Sequence, residues 1–230
     1  MYFRCSRPHT VLLSNLLRLT WCSLAYCLLH TSMALSAAVE TPGAPKTPII
    51  LVYGDSLSAG YGLARGAEWP SLLQRRLKRE ALDYNVINAS ISGETTAGGR
   101  ARFDKALARY RPVVLILELG ANDGLRGLSL KQSAENLEYM ILKARQSNAR
   151  ILLVGMRLPP NYGAYAGRFA RLFPALSHKT GASLVDFLLA GIETNPAMFQ
   201  PDGLHPVAKA QPIMLDNVWA KLQPMLKSKK

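Results

Sequence analysis

The chain is 230 residues long, and 49% of its residues are hydrophobic while 19% are charged. This length and composition predict one globular domain with a sizeable core, and they exclude an intrinsically disordered chain. The formal net charge is +13, which favours contact with anionic membranes or anionic substrates, or simply aids solubility. No arginine–aromatic motif accompanies the charge, so we expect no nucleic-acid partner.

The first segment has the pattern of a secretory signal peptide. Arg4 and Arg7 precede the apolar stretch 16–35, and small residues follow at 34–38. We therefore expect residues 1–38 to be cleaved on export to the periplasm or the outside of a bacterial cell. Residues 39–47 should form a flexible lead-in to a domain at 48–230. An uncleaved signal anchor is the alternative.

Removal of this leader changes the inventory of reactive side chains. It contains every cysteine of the chain, namely Cys5, Cys22 and Cys27, so the mature protein would have no disulfide, thiolate nucleophile or cysteine-type zinc site. Only His178 and His205 remain of the histidines, too few for a multi-histidine metal site. The leader also takes three arginines and no acid with it, which lowers the net charge from +13 to +10.

Strands and helices alternate along the rest of the chain. The predicted strands are short apolar runs, and the predicted helices have apolar residues at helical spacing. In chain order we predict strand 49–52, helix 69–79, strand 86–88, helix 96–109, strand 113–119, helix 130–145, strand 151–156, helix 165–179, strand 183–187 and an amphipathic helix ending the stretch 207–227. This alternation predicts an α/β fold, a three-layer α/β/α sandwich around a mostly parallel, flavodoxin-like sheet of about five strands.

A serine follows the first predicted strand, at the edge of the sheet where open α/β proteins bind ligands. The strand ends in Gly54-Asp55-Ser56, which makes Ser56 a candidate nucleophile. The alternative is that Ser56 only caps the helix that follows. The G-x-S-x-G elbow of α/β-hydrolases, the P-loop and the dinucleotide fingerprint G-x-G-x-x-G are absent, which disfavours a standard lipase fold and nucleotide binding.

Three later segments could complete a catalytic site. Gly93 follows the second strand, where its N–H could approach a ligand, although an ordinary turn explains it equally. Asn122 follows the third strand and offers an amide donor for an oxyanion or, alternatively, plain turn chemistry. Asp202 and His205 are three residues apart, so the acid could orient the base, unless they form only a surface loop. Together with Ser56 they would meet at one rim of the sheet.

These segments resemble the conserved blocks of the SGNH (GDSL) hydrolase superfamily, in particular its thioesterase I / arylesterase / lysophospholipase branch. The matching runs are VYGDSLSAGYG, NASISGETTAGG, LELGANDGLRG and DGLHP, and MRLPPNYG is also similar. The resemblance implies that Ser56 is the nucleophile, His205 the general base and Asp202 its orienting acid. It further implies an oxyanion hole made by the N–H groups of Ser56 and Gly93 and the side chain of Asn122, a structural role for Asp55, and no metal or organic cofactor.

The resemblance also implies the reaction, which is hydrolysis of acyl esters and thioesters through an acyl-enzyme on Ser56. We expect arylesterase, lysophospholipase and acyl-CoA thioesterase activities in a monomer. The acyl chain should lie on Leu125, Leu158, Pro160 and Tyr162, because these residues follow the third and fourth main strands. Two alternatives remain, a carbohydrate O-acetylesterase of the same superfamily and a non-catalytic binding protein that uses its basic surface.

Overall fold

The structure is a computed structural model that describes residues 47–226. The predicted signal peptide and nearly all of the predicted lead-in lie outside the described residues, as do the last four residues of the chain. None of the helices within 47–226 is long and apolar enough to cross a membrane.

Five parallel strands form one sheet. They are β1 (Ile49–Gly54), β2 (Asn85–Asn88), β3 (Val114–Glu118), β4 (Arg150–Val154) and β5 (Ser183–Val185). Their spatial order is β2-β1-β3-β4-β5, and every neighbouring pair is parallel. This is the flavodoxin-like order, so the predicted topology is confirmed.

Helices cover both faces of the sheet and complete the predicted three layers. In chain order the α-helices of the described part are α1 (Ser56–Ala59), α2 (Trp69–Arg79), α3 (Thr96–Tyr110), α4 (Ala121–Leu125), α5 (Leu130–Gln146), α6 (Gly163–Thr180) and α7 (Gln211–Leu222). The pair α2 and α7 packs on one face, and the row α3, α5 and α6 packs on the other. Because both faces are covered, β1 and β3 are buried almost throughout, which explains their nearly continuous apolar sequences.

The strand order also determines where a site can form. The strand β1 lies between β2 and β3. The chain therefore forms β2 on one side of β1 and then crosses to the other side to form β3. In open α/β sheets a crevice opens at such a reversal, beyond the carboxyl ends of the strands. The segments after β1, β2 and β3 all begin at this edge.

Two short helices, α1 and α4, add to the predicted elements; α1 was considered only in the alternative role of Ser56, and α4 was not predicted. The Asp55 carboxylate accepts a hydrogen bond of 3.0 Å from the Leu57 N–H and so caps α1. Gly60, with a φ of 78°, ends α1 after four residues. The alternative role of Ser56 as the cap is therefore wrong, because Asp55 is the cap and Ser56 is the first helical residue. His178 lies exposed in the last turn of α6.

Candidate active site

Ser56 lies at the carboxyl end of β1, on the first turn of α1. The first N–H groups of a helix have no partner within it, and within 47–226 the Ser56 N–H has no acceptor. The hydroxyl and this free N–H are thus presented together at the edge of the sheet. The cap at Asp55 positions both of them, because it determines where α1 begins.

His205 and Asp202 connect to Ser56 through an unbroken series of hydrogen bonds. The His205 Nε2 lies 2.9 Å from the Ser56 Oγ, and the His205 Nδ1 lies 2.7 Å from the Asp202 Oδ2. An anionic Asp202 keeps the proton on Nδ1, which leaves Nε2 free to accept the serine proton. The structure therefore brings together the three residues predicted as nucleophile, base and acid.

The loop of Asp202 is built to keep its carboxylate charged. The Oδ1 atom accepts hydrogen bonds from the N–H of His205 at 3.0 Å and from the N–H of Leu204 at 2.9 Å. The backbone N–H of His205, its ring and the N–H of Leu204 together lower the pKa of Asp202 to about 2. Asp202 is consequently an anion at neutral pH and orients His205 without taking up a proton itself.

Gly93 and Asn122 follow β2 and β3, and a hydrogen bond from Asn122 to Glu94 joins their loops. Gly93 has a φ of 78°, a conformation that strains residues with a side chain, and its N–H has no acceptor among the described residues. The Asn122 Nδ2 donates to the Asp55 Oδ2 at 3.1 Å and to the Glu94 carbonyl, next to Gly93, at 3.0 Å. Both amide hydrogens of Asn122 therefore have acceptors, and an oxyanion at this position would share or replace one of them.

Two buried carboxyl groups underlie the turn that presents Ser56. Burial raises the pKa of Asp55 to about 6, against the opposing effect of its hydrogen bonds from Leu57 and Asn122. Glu118, at the end of β3, is fully buried, and burial and the neighbouring Asp55 raise its pKa well above the ordinary value. Its Oε2 accepts hydrogen bonds from the Ser58 hydroxyl at 2.6 Å and the Asp55 N–H at 3.3 Å.

A cavity of about 450 Å³ opens next to the catalytic series. Ser56, His205 and Asn122 line it, and so do the predicted acyl-binding residues Leu125, Leu158 and Pro160. Tyr162 is not part of this lining, and its hydroxyl instead donates to the Leu125 carbonyl at 3.0 Å. Tyr162 therefore contacts Leu125, a residue of the lining, but does not itself line the cavity.

Several residues of the site were not singled out from the sequence. The apolar part of the lining also includes Phe187, Leu189, Phe199 and Leu204. Its further ionisable side chains are those of Arg157 and Glu193. These residues lie in the loops after β4 and β5. In the sequence, the apolar ones among them cannot be distinguished from residues of the hydrophobic core. Arg157 lies in the run Met156–Gly163, whose similarity to the superfamily could have indicated it. Within 47–226 no group of three or more histidine, cysteine, aspartate or glutamate side chains is placed to hold a metal.

Comparison with known proteins places this geometry in context. The sequence model of the GDSL-like lipase/acylhydrolase family matches residues 52–211. Esterase TesA of Pseudomonas aeruginosa is 45% identical over 204 residues, which are 88% of this chain and 98% of the relative. Thioesterase 1/protease 1/lysophospholipase L1 of Escherichia coli K12 is 38% identical over 178 residues, 77% of this chain and 84% of the relative. A crystal structure of TesA superposes with a TM-score of 0.76 at 47% identity, covering 77% of this chain and 99% of that one.

Proposed function

The chain belongs to the GDSL-like lipase/acylhydrolase family, and from this we propose that it is a serine hydrolase that cleaves acyl esters and thioesters. The observation that carries the proposal is the hydrogen-bonded series from Asp202 through His205 to Ser56, with distances of 2.7 and 2.9 Å. A hydroxyl needs an adjacent base, and that base an orienting group, before it acts as a nucleophile. All three are present in the geometry that the chemistry requires.

Catalysis proceeds in two half-reactions. The His205 Nε2 takes the proton of Ser56 as the Oγ attacks the acyl carbonyl, and the charge of Asp202 stabilises the imidazolium that forms. The N–H groups of Ser56 and Gly93 and the amide of Asn122 donate to the oxyanion. His205 then protonates the departing alcohol or thiol. Water, deprotonated by His205, cleaves the acyl-enzyme and releases the carboxylic acid.

The cavity supports a fatty acyl group as the substrate moiety. Its lining is mostly apolar around Ser56, and a volume of about 450 Å³ lies within the range of sites that enclose small ligands. An acetyl group would leave most of it unfilled. The cavity therefore favours acyl esters, lysophospholipids and acyl thioesters over the acetylated carbohydrates of the alternative reading.

We also propose where the protein is located and what it contacts. The predicted leader and the basic balance of the chain support an exported monomer that touches anionic membranes. Tyr61, Ile91, Leu128 and Leu204 are large apolar residues that are exposed, and all four lie on loops at the edge of the sheet that carries Ser56. Exposed apolar residues around a site mouth are suited to contact with lipid. We place the membrane contact there.

A substrate panel on the purified chain tests the proposed function. Ser56→Ala should abolish hydrolysis of an aryl ester, a lysophospholipid and an acyl-CoA, with the fold retained by circular dichroism. The exposed Ser147→Ala, at the end of α5, is the matched control and should keep full activity. Rates on an acetylated sugar should be far below those on the acyl substrates. Activity of Ser56→Ala equal to that of the control would refute the proposal.

A further inference from the structure

A second set of contacts links the turn of Ser56 to the loop of His205, in addition to the hydrogen bonds among Ser56, His205 and Asp202. It begins at the nucleophile, whose carbonyl accepts hydrogen bonds from the N–H of Gly60 at 3.1 Å and of Tyr61 at 3.2 Å. The position of Tyr61 is thus tied to the backbone of Ser56. Any shift of this turn relative to the loop of His205 changes the distance between the two reacting groups.

Gln200 joins this turn to the loop of the base. Its Nε2 donates to the Tyr61 carbonyl at 2.8 Å and to the Pro206 carbonyl at 3.3 Å, and its backbone N–H donates to the His205 carbonyl at 2.7 Å. A side chain on Gly62 would overlap the Gln200 carboxamide, which shows how closely the two segments approach. One amide group therefore spans segments that are 139 residues apart in the sequence.

The Tyr61 ring completes this set of contacts. Its centroid lies 4.5 Å from that of the His205 ring, at an interplanar angle of 39°. The Tyr61 residue is 53% exposed, so burial alone does not fix its ring. Its N–H and its carbonyl are both held by hydrogen bonds, and this restrains the ring against one side of the imidazole.

Resting on the proposed function, we propose that Gln200 is a positioning residue that maintains the Ser56–His205 hydrogen bond through Tyr61. The contacts form a closed circuit from the Ser56 carbonyl to Tyr61, to Gln200, to His205 and back to the Ser56 Oγ. Gln200 itself touches neither reacting atom. Its function requires a neutral N–H₂ donor, because both of its side-chain acceptors are backbone carbonyls.

Such a circuit matters because the serine and the base come from separate loops. Catalytic groups need to be held within roughly 0.5 Å of their productive geometry, and a misplacement of about 1 Å can cost on the order of 100-fold in rate. Asp202 orients the ring of His205, but among residues 47–226 it has no hydrogen bond to the segment of Ser56. Gln200 supplies the missing connection between the two loops.

The test replaces the donor in the full chain and uses a soluble short-chain ester. Gln200→Met keeps the length of the side chain without its N–H groups. We expect kcat to fall about 10- to 100-fold with KM within twofold, and the rate of labelling by a fluorophosphonate to fall equally. Gln132→Met is the matched control, since this exposed glutamine also donates through its side chain but only within α5, to Asn136. It should behave as the wild type.

Three further variants give readouts that a residue with a merely structural role would not change. Gln200→Glu faces two carbonyl oxygens with a carboxyl group that can donate only when protonated, so its rate relative to wild type should rise as the pH is lowered. Tyr61→Phe should keep the rate, and Tyr61→Ala should lose it as Gln200→Met does.

The proposal is overturned if folded Gln200→Met keeps kcat within twofold while Ser56→Ala is inactive, or if the relative rate of Gln200→Glu is independent of pH. If Gln200→Met does not fold, a Tyr61→Ala variant with wild-type kcat overturns it instead. Activity retained by Ser56→Ala would refute the proposed function, and so the two failures are distinguishable.

Discussion

The side-chain amide of Asn122 is already oriented for its proposed role as a donor to the oxyanion. Its N–H₂ group has two acceptors, the Asp55 carboxylate and the Glu94 carbonyl, so the nitrogen rather than the oxygen of the amide occupies this position. A donor that is already oriented costs little reorganisation when an oxyanion forms. The buried Asp55 is thus the acceptor that orients Asn122 as well as the cap of α1.

Asn122→Ala should lower kcat by about 10²–10³, the usual cost of losing one oxyanion donor. KM for a soluble ester should change little, because the amide acts on the charge that develops in the transition state. Steady-state kinetics measures both constants. Asn122→Asp keeps the shape of the side chain but places a charge against the oxyanion, so it should be no more active than the alanine variant. A kcat of Asn122→Ala within threefold of wild type would exclude Asn122 from the oxyanion hole.

At the scale of elements, the short helices α1 and α4 carry Ser56 and Asn122, and the longer helices provide the support. A helix of four or five residues is unstable without capping and tertiary contacts. Asp55 supplies both for α1 through its bonds with Leu57 and Asn122. The activity of the site should therefore depend on this cap far more than on the caps of the long helices.

Asp55→Ala and Ser129→Ala form a matched pair that tests this dependence. Ser129 caps α5 by accepting from the Gln132 N–H at 3.3 Å. Each variant should lose at most about 2 kcal/mol of unfolding free energy, the ordinary range for a cap. Only Asp55→Ala should also lose kcat, by about 100-fold, because it removes both the cap of α1 and the acceptor that orients Asn122. Urea denaturation and ester kinetics give the two numbers, and equal activities of the pair would show that α1 does not need its cap.

The same elements show what could and could not be predicted from the sequence. The long strands and helices have clear periodicity, and their predicted bounds agree with the structure to within about two residues, except that α7 ends at Leu222 rather than near 227. The helices α1 and α4 are too short for such a pattern. Glu118 was missed because it ends an apolar strand, and Gln200 was missed because its partners, Tyr61 and Pro206, meet it only in the folded chain.

The order of the strands brings the residues of the site together at one edge of the sheet. Ser56, Gly93 and Asn122 follow β1, β2 and β3, and the loop of His205 reaches the same edge from the far end of the chain. Sequence motifs identified these residues, and the topology explains why they meet. Of the exposed apolar side chains at this edge, Leu204 lines the cavity and the Tyr61 ring lies 4.5 Å from that of His205.

A comparison of Leu128→Ser with Leu142→Ser tests the proposed membrane contact. The two leucines are 42% and 43% exposed, but Leu128 precedes α5 at the edge of the site, whereas Leu142 lies near the other end of α5. Leu128→Ser should lower the rate on a lysophospholipid presented in phosphatidylglycerol vesicles several-fold. Only the 42% of Leu128 that is exposed can be newly buried, which is roughly 0.6–1.3 kcal/mol of the about 1.5–3 kcal/mol that full burial of a leucine provides. Rates on a soluble ester should be unchanged in both variants. Equal vesicle rates for the two would place the contact elsewhere.

Covalent labelling of the nucleophile tests the central claim most directly. The full chain is mixed with a fluorophosphonate, digested and analysed by mass spectrometry. The account predicts one adduct per chain on the peptide that contains Ser56, slow labelling of His205→Ala and no labelling of Ser56→Ala. An adduct on another residue, or an unlabelled wild-type chain that still hydrolyses esters, would contradict it.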